Sequence, residues 1–315
     1  MRDGTETLEC CGRGRAHSDF SMRAGTLVSV AIPLITVVLM TVVGSDLRGD
    51  DFTRLLRRSR VVWVGLLAPP LLLPPIALGL IEVMQPPLPI ATGVLLIAAC
   101  PVGGISNTYV YLARASTALS LALTTLSCLA AFVTVPLVGT ALGAVAERPF
   151  AAHVPMGPLL VQLLATIALP VALGMYVRSR RPELTARVAP VMWRVAFVLL
   201  GLLLALVILA DVPTFVAALP AAVPLAAVFV ACSFAVGSAV GHLIGAHPTD
   251  RLTLAIEFAT RNVAVATTIA VTVLGRTDFA IFGTAYFLTE VPLMAAAVVL
   301  FRRPVTGGEA TPAIG

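Results

Sequence analysis

AACPVGGISNTYVYLARASTALSLALTTL, residues 98–126, is the stretch that decides the class of fold. It is apolar enough for a bilayer, yet it carries Pro101, Gly103 and Gly104, which are poor helix residues, and then at once Ser106 and Asn107. Backbone freed from a helix at membrane depth is tolerated only where it is buried in protein or lines a cavity. A second stretch of this kind, IEFATRNVAVATTIA (256–270), places Glu257, Arg261 and Asn262 at mid-span. Ionisable groups at the bilayer centre cost about 2.5–3.5 kcal/mol each on insertion scales, which makes them functional candidates by default.

The rest of the chain agrees with a membrane setting. Of 315 residues 58% are hydrophobic and 12% charged, with a mean hydropathy of +0.99; soluble domains are about one quarter charged. Apolar runs fall near 25–45, 61–81, 88–112, 117–145, 157–177, 190–210, 219–245, 252–274 and 278–301. They are continuous rather than alternating, which excludes an outer-membrane barrel. The fold class is therefore an all-α polytopic membrane protein of about nine transmembrane helices. Pro recurs inside the runs, as in PPLLLPP at 69–75.

The net charge of +5 comes entirely from Arg among the basic residues, and these sit mainly in loops. They set orientation rather than bind nucleic acid. The loop DLRGDDFTRLLRRSR (46–60) and the loop around 178–194, with Arg178, Arg180, Arg181, Arg187 and Arg194, lie four spans apart, on one side. Arg114, Arg251, Arg302 and Arg303 join them, so this face is cytoplasmic, the C-terminus with it, and the N-terminus outside. Arg23 argues weakly the other way. Residues 1–23 form a disordered polar tail, or an over-extended start before Met22. Cys10 and Cys11 are adjacent, while Cys100, Cys128 and Cys232 lie singly in apolar segments, so no disulfide framework is expected.

The two halves of the chain echo each other. An apolar helix, DLRGDDFTRLL (46–56), a second span and the interrupted span 88–112 are followed later by an apolar helix, ADVPTFVAAL (210–219), a span and the interrupted span 252–274. The run 157–177 has no counterpart. An odd number of spans between the halves inserts them upside down relative to each other, the pattern of an inverted-repeat transporter.

Several residues keep two readings. Glu257 and Arg261 are four apart and either neutralise each other on one helix face or carry function. Ser120 and Thr124 are also four apart, and hydroxyls in membrane helices commonly bond back to their own helix. Pro101 with its glycines is either a kink or a binding feature. Glu82, Asp211 and Asp278 fall at span ends, as His153 and His242 do at helix ends. Glu290 is deeper, either a second partner for Arg261 or a group facing an aqueous cavity. No phosphate-binding loop, HExxH or GxSxG motif occurs, so an enzyme is not expected.

CPVGGISNTYVYLARASTALSLALT resembles the signature of the bile acid:sodium symporter family, a CPGG–SN crossing followed by a Ser/Thr-bearing helix. IEFATRN resembles that family's second crossing, an E–x–G–x–Q–N pattern, and GSDLRGDDFTRLLRR its first cytoplasmic loop. The resemblance runs from about 25 to 302 and implies an inverted repeat with two broken crossing helices, panel and core domains, in the nine-helix form. It implies panel helices near 25–45, 157–177 and 190–210, with core helices over 61–145 and 219–302. The transporter domain then spans 24–303 and the C-terminal tail 304–315.

By position, the resemblance puts a first sodium site on Ser106, Asn107, Ser120, Thr124 and Glu257, all oxygen-bearing side chains suited to a hard cation. Asn262 falls on a substrate-contacting position, with Gly104, Arg261 and Glu290 as further substrate candidates. The second sodium site departs from the pattern. Arg261 stands where the family has Gln, and alignment through GLLAPPLLLPP puts Pro69 where it has another. Arg has no acceptor and stays protonated, so the expectation is one sodium site, with Arg261 in place of the second. The function implied is a multi-pass inner- or plasma-membrane carrier of a small organic anion, coupled to sodium, with no organic cofactor and no obligate protein partner. A sodium-independent or proton-coupled carrier, and a ligand sensor that does not transport, remain the alternatives.

Overall fold

A computed structural model describes residues 30–46, 59–145 and 156–302. The tail 1–23 with Cys10 and Cys11, most of the loop 46–60, His153 and the tail 304–315 lie outside the described residues. Those described are helical almost throughout, and no strand occurs among them. They form α1 (Val30–Asp46), α2 (Ser59–Met84), α3 (Leu88–Ala99), α4 (Ser106–Leu112), α5 (Thr117–Val145) and α6 (Met156–Arg180). There follow α7 (Pro182–Ala210), α8 (Val212–Leu243), α9 (Pro248–Ala259), α10 (Val263–Val273) and α11 (Ala280–Phe301). Six of the described helical stretches are long and apolar enough to cross a membrane. This is a multi-pass membrane protein.

The element order repeats as the sequence suggested. A long helix, a broken pair and another long helix occur as α2, α3/α4, α5 and again as α8, α9/α10, α11, with α6 between the halves. α2 packs along α3 and α5, and α8 along α9 and α11.

Helix boundaries follow local chemistry, and two differ from the sequence reading. The stretch 178–194 is not an open loop. α6 runs to Arg180 and α7 begins at Pro182, because Pro fits the first helical turn, where its missing N–H is no loss. Likewise α8 begins at Val212 rather than at 219. Asp211 caps it, accepting from the Thr214 amide at 3.1 Å and from the Thr214 hydroxyl at 2.6 Å. These bonds, the hydroxyl first, hold the Asp211 carboxyl below its ordinary value. The four prolines Pro69, Pro70, Pro74 and Pro75 do not break α2, which stays helical through all of them.

α1 and α6 touch backbone to backbone. A Cβ on Gly44 would fall 2.1 Å from the Val171 carbonyl oxygen, and one on Gly174 would fall 2.2 Å from that of Thr41. Small residues allow this approach, which lipid-embedded helices use in place of a hydrophobic driving force. Gly44→Ala is expected to destabilise the protein by about 1–3 kcal/mol, the usual range for overpacking, as a lowered melting temperature in detergent. Gly79→Ala, where a Cβ meets open space, should leave that temperature unchanged.

Candidate functional site

The site is built on two helix breaks. α3 stops at Ala99 because Cys100 precedes Pro101, and a residue before proline is pushed out of the helical region; Cys100 is extended, with ψ 155°. α9 stops at Ala259, and Thr260 is extended with ψ 104°. The freed backbones pair with each other. Val102 and Arg261 form an antiparallel bridge, the Gly103 amide donates to the Thr260 carbonyl at 3.1 Å, and the Asn262 amide donates to the Pro101 carbonyl at 2.9 Å. A Cβ on Gly103 would lie 2.8 Å from the Arg261 carbonyl oxygen, so this position requires glycine for the approach.

Side chains complete the accounting. The Val102 amide donates to the Ser127 hydroxyl at 3.2 Å. The Tyr286 hydroxyl donates to the Ala259 carbonyl at the end of α9. Asn262 caps α10, its Oδ1 accepting from the Val265 amide at 3.2 Å. Ser127 and Tyr286 were not singled out from the sequence. Ser127 had a signal, since 120, 124 and 127 share a helix face; Tyr286 had only its place one turn before Glu290.

Around Glu257, which is completely buried, the five oxygen-bearing residues of the sequence reading come together. Ser120 donates to Asn107 Oδ1 at 2.7 Å and contacts Glu257 Oε1 as well. The Thr124 hydroxyl lies 3.3 Å from Ser106 Oγ, 3.3 Å from Asn107 Oδ1 and 3.4 Å from Glu257 Oε2. Ser120 and Thr124 thus reach across to other elements instead of bonding back, unlike Thr125, which bonds the Leu121 carbonyl at 2.9 Å. Three hydroxyls supply one proton each, and Ser120 and Thr124 each face more than one acceptor, which leaves the cluster rich in oxygen and poor in protons.

Arg261 does not join this cluster. The helix has ended two residues before it, so Glu257 and Arg261 do not share a helix face, and no ion pair forms between them. Its guanidinium donates from Nη2 to the Cys100 carbonyl, while Nε and Nη1 have no partner. It is only 3% exposed.

Two cavities meet at Arg261. One of about 60 Å³ lies between α1, α7 and the crossings. Its polar end is Gly103, Gly104, Arg261 and Asn262, and Met40, Val43, Trp193 and Phe197 are among its apolar walls. A smaller one of about 10 Å³ is lined by Pro69, Pro101, Ser127 and Arg261 among others. The structure therefore brings Gly104, Asn262 and Arg261 to one cavity and Pro69 and Arg261 to another. Glu290 does not line the larger cavity.

Comparison with known proteins adds the family. The sodium bile acid symporter family matches residues 31–218, more than half of the chain. The chain belongs to that family. It is a family of transporters rather than enzymes. The match contains the first crossing and ends within α8. Among similar proteins, an uncharacterized sodium-dependent transporter, YocS, of Bacillus subtilis (strain 168) is 35% identical over 153 residues, 49% of this chain and 46% of that one. A probable chloroplastic sodium/metabolite cotransporter, BASS2, of Oryza sativa subsp. japonica is 31% identical over 167 residues, 53% of this chain and 39% of that one. The chloroplastic BASS1 of Arabidopsis thaliana, also named a probable sodium/metabolite cotransporter, is 29% identical over 164 residues, 51% and 40% of the two chains. The matched regions span less than half the length of these relatives.

Gly103→Ala is expected to wedge the crossings apart and weaken the pairing of both halves. The readout is hydrogen exchange at the Gly103 and Asn262 region, which should speed up in the variant while exchange along α8 stays slow.

Proposed function

We propose that this protein is a secondary carrier that couples an organic anion to sodium by alternating access at the paired crossings. The observation that carries the reading is the proton-poor oxygen cluster of Ser106, Asn107, Ser120, Thr124 and Glu257. Its donor set is that of a hard cation, with a carboxylate and neutral oxygens and no sulfur or imidazole. The printed names of the relatives, sodium-dependent transporter and sodium/metabolite cotransporter, support it. In this reading sodium is cargo. It supplies the positive charge that lets Glu257 stay ionised, and the hydroxyls turn their lone pairs toward it.

The anion occupies the larger cavity, its charged end toward Arg261, Gly104 and Asn262 and its apolar part against α1 and α7. That cavity is lined by α1 and α7 on one side and the crossings on the other, so rocking of the panel helices (25–45, 157–177, 190–210) on the core helices (61–145, 219–302) exposes it alternately. Arg261 and Pro69 stand in place of a second sodium site, so one sodium accompanies each anion. With its Arg-rich face cytoplasmic, the carrier has its N-terminus outside and its C-terminus in the cytoplasm of a cell membrane.

The test is a thermal-shift series in sodium and in choline chloride. Sodium at one hundred times its Kd should stabilise the wild type by about 2.7 kcal/mol. Glu257→Gln and Asn107→Ala should lose most of that increment; unaltered sodium response in both sinks the sodium site. A screen of organic anions with and without sodium then identifies the ligand class. Arg261→Gln should gain a second sodium increment if the guanidinium imitates an ion. Loss of anion-induced stabilisation at an unchanged sodium response would sink the ion-mimic role and leave Arg261 as a contact of the carboxylate alone. Counterflow of the stabilising anion in liposomes separates carrier from sensor, because only a carrier shows trans-acceleration.

A further inference from the structure

Glu290 belongs neither to the oxygen cluster around Glu257 nor to the larger cavity. It lies in the buried stripe of α11 that runs Tyr286, Glu290, Met294, Val298, and it is completely buried. Tyr109 of α4 and Thr260 of the second crossing bring their hydroxyls beside its carboxyl group. Neither Glu290 oxygen has a hydrogen-bond partner, and neither do the Tyr109 hydroxyl and Thr260 Oγ1. Four polar atoms thus sit unpaired in one buried cluster, although buried polar groups are nearly always satisfied.

Among the described residues no cationic side chain pairs with Glu290. Arg261 donates to the Cys100 carbonyl and lines two cavities that Glu290 does not line. Tyr286, one turn earlier on the same helix, is committed to Ala259. α3 and α10, which pack on α11, carry no ionisable side chain, and on α7 Arg187 and Arg194 are exposed. Cys232 on α8 is half-buried, His242 lies at the far end of that helix, and Asp278 before α11 is paired with Arg276. On α9, Glu257 faces Ser120 and Thr124 instead.

We propose that Glu290, with Tyr109 and Thr260, is a proton-binding site attached to the crossings. A neutral carboxyl group offers both a donor and an acceptor, which is what two unpaired hydroxyls need, whereas a bare carboxylate here has nothing to compensate its burial. A metal cation is the poorer fit: three side chains gather here against five in the cluster that includes Glu257, and hard cations take about six oxygens. The site is also wired to the moving parts. Thr260 holds the Gly103 amide across the crossing, and Tyr109 rides on α4, the half-helix that begins at Ser106. Rearrangement of the crossings changes the surroundings of this proton, so its release is tied to the transport cycle. The proposal does not depend on sodium binding at Glu257.

Infrared difference spectroscopy of the protein in liposomes tests this with protons as the only ligand. Glu257→Gln, which removes the other deeply buried carboxyl group, should show a protonated-carboxyl C=O band at neutral pH that fades as pH is raised, and adding Glu290→Gln should remove it. Tyr109→Phe and Thr260→Val should shift that band without removing it, which keeps the test alive should Glu290→Gln fail to fold. The proposal is overturned if Glu257→Gln with Glu290→Gln retains the band, if Glu257→Gln alone shows none, or if neither hydroxyl variant shifts it. Loss of the band from Glu257→Gln when sodium chloride replaces choline chloride would also overturn it, by assigning the site to sodium. The sodium thermal shift of Glu290→Gln reports separately on the carrier reading and should equal that of the wild type.

Discussion

The paired backbones of the two crossings are the constraint on which everything else in this structure depends. A helix interrupted inside a membrane leaves N–H and C=O groups that lipid cannot satisfy. Here each break supplies what the other lacks, through Gly103 to Thr260, Asn262 to Pro101 and the Val102–Arg261 bridge. The bonds are main-chain to main-chain, so they fix the register of the halves almost independently of side chains. Only Gly103 is dictated by the contact itself. With the register set, α4 presents Ser106 and Asn107 to Glu257 on α9, and α5 closes the cluster with Ser120 and Thr124.

How much of this was legible in the sequence varied with the kind of interaction. The membrane class, both breaks and the repeated element order follow from apolar run length and from Pro101, Gly103 and Gly104, which are local signals. The five oxygen-bearing residues were found through their resemblance to a family motif, and the structure brings them together. Spacing alone misled at Glu257 and Arg261: four residues apart means one face only if the helix continues, and here it ends at Ala259 with no proline to announce it. Spacing also left Ser120 and Thr124 open to back-bonding, because the acceptors that draw them away are 13 and 137 residues distant in the chain for Ser120, and 17 and 133 for Thr124. The stretches 178–194 and 212–219 looked like loops because Arg and Pro depress hydropathy, yet both residues are at home in the first or last turn of a helix.

Among the described residues, Glu257, Arg261 and Glu290 lie deep within the spans, and the fold treats each differently. Glu257 is wrapped in hydroxyls and an amide. Arg261 is tethered by one nitrogen to a carbonyl, with its remaining donors open between two cavities. Glu290 has hydroxyls beside it but no bond to either. Groups that could have cancelled as a salt-bridged triad are held apart by the crossing geometry. The interior therefore leaves these groups unpaired with one another, at the expense of the stability that mutual pairing offers.

The tethering of Arg261 has an electrical side. A sodium ion bound at a second site would cross the membrane with the anion, and each elementary charge moved is worth about 2.3 kcal/mol per 100 mV of membrane potential. On the proposed one-sodium reading, a guanidinium fixed to the Cys100 carbonyl would supply the same local positive field but never leave the protein. With one carried sodium and a monovalent anion the loaded carrier moves no net charge, so uphill accumulation would draw on the sodium gradient alone and be indifferent to voltage.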